Sequence, residues 1–287
     1  MEVDATVLIV IAALNEASGL PQTLEALRNE CGEEAEVVVV DDGSTDETAL
    51  FAELGGASLI RQEQCTGKCA AVMRGIRERI QPHHRAVVTC DADGQHQAED
   101  VRRVLEALRK YDVVFTSRYR GDCPIAIGEP PVDRQFLNAM VTAAVERIVP
   151  WGLTDPVCGL RGFRVHIARW LLTQEFVTQG YGLELETVFR LCFLQGARTG
   201  TAPFSMTEIP IRPVYAGTPK MSAYYAEGSL RVAERSTRAA DHLETLTSLM
   251  RAFGFHTIPR DQGLVELVRA SGAHLRAVGG PSGPTAA

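Results

Sequence analysis

Val37-Val38-Val39-Val40-Asp41-Asp42-Gly43-Ser44-Thr45-Asp46 is the stretch on which the reading of this chain turns. A run of β-branched residues suits a strand buried on both faces of a parallel sheet, where no polar alternation is needed. The run stops at two adjacent acids, a glycine turns the chain, and Ser44 or Thr45 supplies a cap for the next helix. The same order returns in Val87-Val88-Thr89-Cys90-Asp91-Ala92-Asp93-Gly94-Gln95-His96. Outward from these two, Val7–Ile11, Ala86–Thr89 and Val113–Thr116 are apolar runs of strand length. Helical patterns fall between them at 18–28, with Pro21 in its first turn, and at 45–54, 68–79 and 99–109. This alternation over 6–118 predicts an α/β fold: a doubly wound, mostly parallel sheet flanked by helices. Ligands should gather at the carboxyl ends of its strands.

Past residue 118 the pattern changes. Residues 119–131 are rich in Gly, Pro and Asp and read as a mobile loop; 132–148 is helical, 154–162 turn-rich, 182–194 helical, and 207–213 an edge strand. A long amphipathic helix is expected over 223–253. From Arg269 the composition turns to Gly, Ala, Pro and Ser, as in a floppy tail. The expected organisation is a catalytic domain over 1–222, a helical extension over 223–268 and a flexible tail over 269–287.

The 287 residues carry a formal net charge of -7 with no run of like charge, which argues against a nucleic-acid partner. Seven cysteines without a Cys-x-x-Cys pair fit neither a disulfide framework nor a zinc site, so a reduced cytoplasmic setting is expected. The amino terminus is acidic and does not read as a signal peptide. No stretch reaches the roughly 18 to 20 apolar residues that span a bilayer.

Two carboxylates at positions i and i+2, Asp91 and Asp93, with the amide oxygen of Gln95, suit a hard cation such as Mg²⁺ or Mn²⁺ shared with substrate phosphates. The ligand series is too short for an EF-hand, and no helix precedes it. Asp41 and Asp42 can accept hydrogen bonds from a base or ribose, as acids at strand ends do in dinucleotide folds. Asn15-Glu16 closes the preceding strand beside them. Capping alone accounts for Ser44 or Thr45 but not for two adjacent acids. Arg134 and Asn138 lie one turn apart on one helix face, so both can meet one ligand.

In order along the chain stand Ala13-Leu14-Asn15-Glu16, Val40-Asp41-Asp42-Gly43-Ser44-Thr45-Asp46, Gly67-Lys68-Cys69-Ala70-Ala71, Asp91-Ala92-Asp93-Gly94-Gln95-His96, Ser117-Arg118 and Asp155-Pro156-Val157-Cys158-Gly159-Leu160-Arg161-Gly162-Phe163. Together they resemble family 2 glycosyltransferases of the GT-A fold, and within them the dolichyl- or polyprenyl-phosphate mannosyl- and glucosyltransferases. The resemblance implies a Rossmann-like nucleotide-sugar-binding domain that uses a GDP- or UDP-sugar. It implies a donor site formed by Ala13, Asn15, Glu16, Asp41, Asp42, Lys68, Asp91, Ala92 and Lys220, and a metal site of Asp91, Asp93 and Gln95. Arg118 and Arg134 resemble the arginines that meet an acceptor phosphate.

The chemistry so implied is an inverting hexosyl transfer, with Asp93, Arg118 and Arg134 at the reacting end. A polyprenyl phosphate acceptor is already an anion, and would bring the enzyme to the membrane surface. A soluble acceptor hydroxyl needs a carboxylate base, for which Glu184 or Glu186 is placed; the alternative for both is an exposed helix face. The chain departs from the family pattern at Cys69, where glycine is usual. It departs again at Val214-Tyr215-Ala216-Gly217-Thr218-Pro219-Lys220, which lacks an arginine and a serine. Arg212 stands two residues upstream as a substitute. A sugar-phosphate nucleotidyltransferase is the rival from another class, but it wants a Gly-rich turn after the first strand. A dehydrogenase wants a Gly-x-Gly-x-x-Gly, which is missing.

Overall fold

The β-branched runs form the strands they predict, and the register between them makes the site. The computed structural model describes residues 6–130, 132–147, 149, 151–178, 182–193, 204–212, 214–215, 244–245 and 247–249. The elements in chain order are β1 (Val7–Ala13), α1 (Leu20–Cys31), β2 (Ala35–Asp41), α2 (Thr48–Leu54), β3 (Ser58–Arg61), α3 (Lys68–Arg79), β4 (Ala86–Asp91), α4 (Ala98–Ala107), β5 (Val113–Ser117), α5 (Val132–Glu146), β6 (Arg161–Arg164), α6 (Val165–Leu172), α7 (Leu183–Phe193) and β7 (Met206–Pro210). The sheet runs β3-β2-β1-β4-β6-β5-β7. Strand β6 is antiparallel to both of its neighbours, and the other pairs are parallel.

Successive residues of β1 point to opposite faces, as the pleat requires. Leu8 and Val10 join a core that includes residues of α3, α5, α6 and α7. Val7, Ile9, Ile11 and Ala13 join a second core with α1 and α4. Each Val, Leu or Ile among them that is fully withdrawn from water stabilises the fold by about 1.5–3 kcal/mol. Gly75 brings α3 against the sheet, since a Cβ there would lie 2.7 Å from Val10 and 2.8 Å from Val40.

Parallel pairing sets Ala13 opposite Asp41 and Ala12 opposite Asp91. Two acid motifs far apart in sequence therefore flank the end of one strand. The chain runs outward from β1 through β2 to β3 and then crosses back by α3 to β4 on the other side of β1, and that switch in direction opens a crevice at the carboxyl edge.

Several boundaries differ from the sequence reading. Helix α1 begins at Leu20 and α2 at Thr48, because residues 15–19 and 44–47 are taken up by contacts between the two loops. Strand β3 and the pair β6–α6 carry no strong periodicity in sequence. The first half of the Arg161–Arg164 segment was read as a turn; it becomes a strand because it completes the ladder between β4 and β5. Residues 119–130 have no regular structure, yet the loop is tied down. Tyr215 N–H donates to the Ile127 carbonyl at 2.7 Å and Cys123 Sγ to the Ser117 carbonyl at 3.1 Å. Most of the expected extension over 223–268, and the tail over 269–287, lie outside the described residues. Among the described residues no helix is long and apolar enough to cross a membrane.

Candidate active site

At the ends of β1 and β2 the polar side chains hold loops in place. Asn15 adopts a left-handed backbone, φ 54°, which an amide side chain tolerates. Its Oδ1 accepts the Thr45 N–H at 2.9 Å, while its own N–H donates to Ser44 Oγ at 2.9 Å. The Glu16 N–H donates to Thr48 Oγ1 at 2.9 Å. Asp41 Oδ1 accepts the Ser44 N–H at 2.8 Å, and the Ala13 carbonyl accepts the Asp42 N–H at 2.9 Å. The buried Asp42 carboxylate accepts from Gln62 Nε2 at 2.6 Å, from the Thr66 N–H at 2.8 Å and from the Gly67 N–H at 2.9 Å. Asp42 thus shapes the turn that starts α3.

Gly43 closes this arrangement. Its φ is +84°, and a Cβ there would sit 2.8 Å from the Cys65 nitrogen and 2.9 Å from the Gln64 carbonyl carbon. Gly43→Ala is expected to lose about 2 kcal/mol, from left-handed strain and backbone crowding. Urea unfolding measures it, and an unchanged midpoint would mean that the turn refolds around a methyl group.

Strand β4 delivers the second acid set. Asp91 Oδ1 lies 2.6 Å from Lys68 Nζ, and the same ammonium lies 2.7 Å from Glu184 Oε1. Burial works against the Lys68 charge, but Asp91 and Glu184 outweigh it and hold the ammonium above its ordinary range. The buried Asp93 accepts the Gln95 N–H at 3.1 Å through Oδ1, across a turn that Gly94 makes with φ 76°. Ala92 is buried between the acids, and its carbonyl accepts Thr23 Oγ1 at 3.4 Å. His96 Nδ1 accepts the Asp91 N–H at 3.1 Å, so the neutral ring carries its proton on Nε2, 3.8 Å from Asp91 Oδ2. Asp91, Asp93 and Gln95 could offer carboxylate and amide oxygens, the ligand type that Mg²⁺ and Mn²⁺ prefer.

Glu36, His83 and His84 also cluster, at the opposite edge of the sheet. There His84 Nδ1 accepts the Gln81 N–H at 2.9 Å, which leaves the proton on the nitrogen facing Glu36 and no lone pair for a cation.

Residues after β5 form the far wall. The Arg118 guanidinium grips Asp155 in a two-pronged pair, at 2.7 Å from Nε and 3.0 Å from Nη2. Glu208 of β7 positions Asp155 by accepting its N–H at 3.2 Å and the Thr154 N–H at 2.9 Å. On α5, Arg134 Nη1 reaches Gln95 Oε1 at 3.4 Å, and Gln95 Nε2 donates to the Val214 carbonyl at 3.2 Å. The candidate acceptor arginine and the candidate metal residue therefore touch. Asn138, one turn further on, is buried, and its Oδ1 has no hydrogen-bond partner among the described residues.

The two glutamates of α7 separate. Glu184 faces Lys68, whose ammonium also meets Asp91. Glu186 is fully buried and accepts from Arg190 Nε at 2.7 Å, the Val177 N–H at 2.9 Å, the Thr178 N–H at 2.8 Å and Thr178 Oγ1 at 2.6 Å. It holds the segment before α7 and is turned away from the cleft acids; the exposed helix face considered for both does not exist. Arg161, given no role by its sequence context, is buried and donates to the carbonyls of Cys158, Glu184 and Pro156. Asp155 and Arg161 stand in one of the stretches that carry the family resemblance, but the sequence reading gave neither a role, and it passed over Glu208. Lys220 lies outside the described residues. The Arg212 N–H donates to Asp100 at 2.9 Å.

A mostly parallel sheet with acids gathered on its carboxyl edge defines a GT-A glycosyltransferase domain. Residues 8–171 match the family described as Glycosyl transferase family 2. The chain is 30% identical over 207 residues to an undecaprenyl-phosphate mannosyltransferase of Micrococcus luteus, covering 70% of this chain and 84% of that one. It is 32% identical over 174 residues to an undecaprenyl-phosphate 4-deoxy-4-formamido-L-arabinose transferase of Pseudomonas aeruginosa, of which it spans 48%. In fold it is similar to glucosyl-3-phosphoglycerate synthase from Mycobacterium tuberculosis, solved with Mn²⁺, UDP-glucose and phosphoglyceric acid. That likeness has a TM-score of 0.62 at 19% identity, over 85% of this chain and 79% of that one. The chain belongs to glycosyltransferase family 2, and this membership sets aside the nucleotidyltransferase alternative.

Proposed function

We propose that this enzyme moves a hexose, with inversion, from a GDP- or UDP-sugar to a polyprenyl phosphate, assisted by Mg²⁺ or Mn²⁺. The observation that carries the reading is how the two α7 carboxylates are engaged. A hydroxyl acceptor needs a base with an available oxygen, yet Glu186 is enclosed by its own loop and Glu184 is held by Lys68. A phosphate oxyanion needs no base. Arg118 and Arg134 offer it paired donors, with the Asn138 amide one turn further along α5. Val132 and Phe136, one turn apart on α5, and Ile125 in the loop before it are exposed apolar side chains that suit the apolar tail of such a lipid, with peripheral contact to the bilayer.

The steps follow from the chain's own groups. Asn15, Asp41 and Asp42 shape the loops that receive the nucleotide. Asp91, Asp93 and Gln95 would hold the cation, which neutralises charge on the departing diphosphate. Arg134 and Arg118 orient the acceptor phosphate behind the anomeric carbon. The Micrococcus relative acts on undecaprenyl phosphate by name, which supports the same acceptor class here.

A soluble acceptor is the second reading, favoured by the missing arginine in Val214–Lys220. The test is transfer from a panel of GDP- and UDP-sugars to a short polyprenyl phosphate, with and without Mn²⁺. In that assay Arg134→Ala should raise the acceptor KM about tenfold or more while donor hydrolysis persists. Transfer to a neutral hydroxyl with full activity in Arg134→Ala would overturn the polyprenyl reading and point to Glu184.

A further inference from the structure

Lys68 stands where two carboxylates of different elements converge, 2.6 Å from Asp91 and 2.7 Å from Glu184. Its side chain is 20% exposed and that of Glu184 6%. Three anchors fix the geometry. Lys68 opens α3 directly after Gly67, whose φ is +92° and whose N–H is bound by Asp42. The Glu184 carbonyl is held by Arg161 at 2.6 Å. Gly159 closes the third side, since a Cβ there would lie 2.8 Å and 2.9 Å from the Asp91 oxygens and 2.9 Å from Lys68 Nζ. The fold thus brings an ammonium onto the first acid of the Asp91–Asp93 pair.

We propose that Lys68 is a resident counter-ion that competes with the divalent cation for Asp91 and keeps the site's affinity for bare metal low. The proposal rests on Asp91 and Asp93 holding a cation, as in the proposed function. An ammonium on Asp91 Oδ1 occupies a lone pair and offsets negative charge that a divalent ion would otherwise use. A nucleoside diphosphate brings charge of its own. It gives the ammonium an alternative partner, so Asp91 is released when the donor enters. Metal and nucleotide then bind with positive coupling, and by linkage each tightens the other by the same factor.

The test is Mn²⁺ affinity without any nucleotide, read from the free-Mn²⁺ electron paramagnetic resonance signal. Lys68→Met is expected to bind Mn²⁺ about tenfold tighter than the wild type, because Asp91 and Glu184 then face the cation without an ammonium. The tightening of Mn²⁺ by added UDP or GDP should shrink by a similar factor. A purely structural or donor-binding role for Lys68 predicts unchanged or weaker Mn²⁺ binding, and that result overturns the proposal. Should Lys68→Met fold poorly, Lys68→Met/Glu184→Gln removes the residual carboxylate repulsion and should still bind Mn²⁺ tighter than the wild type. Asp93→Asn in the wild-type background distinguishes the two levels: if it leaves Mn²⁺ binding unchanged, the metal site itself is misplaced, whatever Lys68 does.

Discussion

Asp93→Asn is expected to lower turnover about a thousandfold while the protein stays folded. Asparagine keeps the carbonyl oxygen that accepts the Gln95 N–H at 3.1 Å, so the Gly94 turn survives. What is lost is a formal charge at a buried position next to Asp91, where charge is poorly screened. Removing one preorganised electrostatic element from such a site typically lowers the rate by two to three orders of magnitude, and a metal ligand belongs at the upper end. Calorimetry with UDP and GDP, each with and without Mn²⁺, separates the causes. The Mn²⁺-dependent part of nucleotide affinity should fall and the metal-independent part should not. Equal Mn²⁺-dependent affinity in variant and wild type would remove Asp93 from the cation site.

Asp155→Ala is expected to be the most destabilising single change at the site, by about 3–5 kcal/mol. Asp155 is fully enclosed, and it answers Arg118 with both oxygens. Truncating it leaves a largely buried guanidinium without its partner, the costly half of breaking a buried pair. The same change should raise the acceptor KM, because the arginine loses the group that aims it. Asp155→Asn keeps the size and one acceptor oxygen and should fall between wild type and alanine. Guanidinium unfolding measures the loss; a change below about 1 kcal/mol would mean that Arg118 finds another acceptor.

How much of this was legible in the sequence depended on distance along the chain. Asp41, Asp42, Asp91 and Asp93 were legible because each pair sits where a β-branched run stops. A strand end with acids is a local pattern. Asn15 was legible for the same reason, although its left-handed backbone was not. Asp155 was not, because its role lies in a contact across 37 residues with Arg118. Glu208 was not, because it positions Thr154 from 54 residues away. Strand β6 was missed because Arg161 and Arg164 bracket it, and an isolated four-residue segment has no reason to extend until β4 and β5 flank it.

By itself, the sequence determined the alternation of buried strands and helices and the edge of the sheet that carries acids. Tertiary structure decided which side chains share that edge. Parallel register placed Asp41 and Asp91 on either side of β1. The choice between Glu184 and Glu186 shows why such decisions are not local. Two residues apart on a helix are roughly 200° apart around its axis, so only one can face the cleft. Which one does so is set by the rotation of α7. Packing of Leu185, Val188 and Phe189 against the core and the grip of Arg190 on Glu186 fix that rotation. These are contacts whose partners the chain spacing does not name.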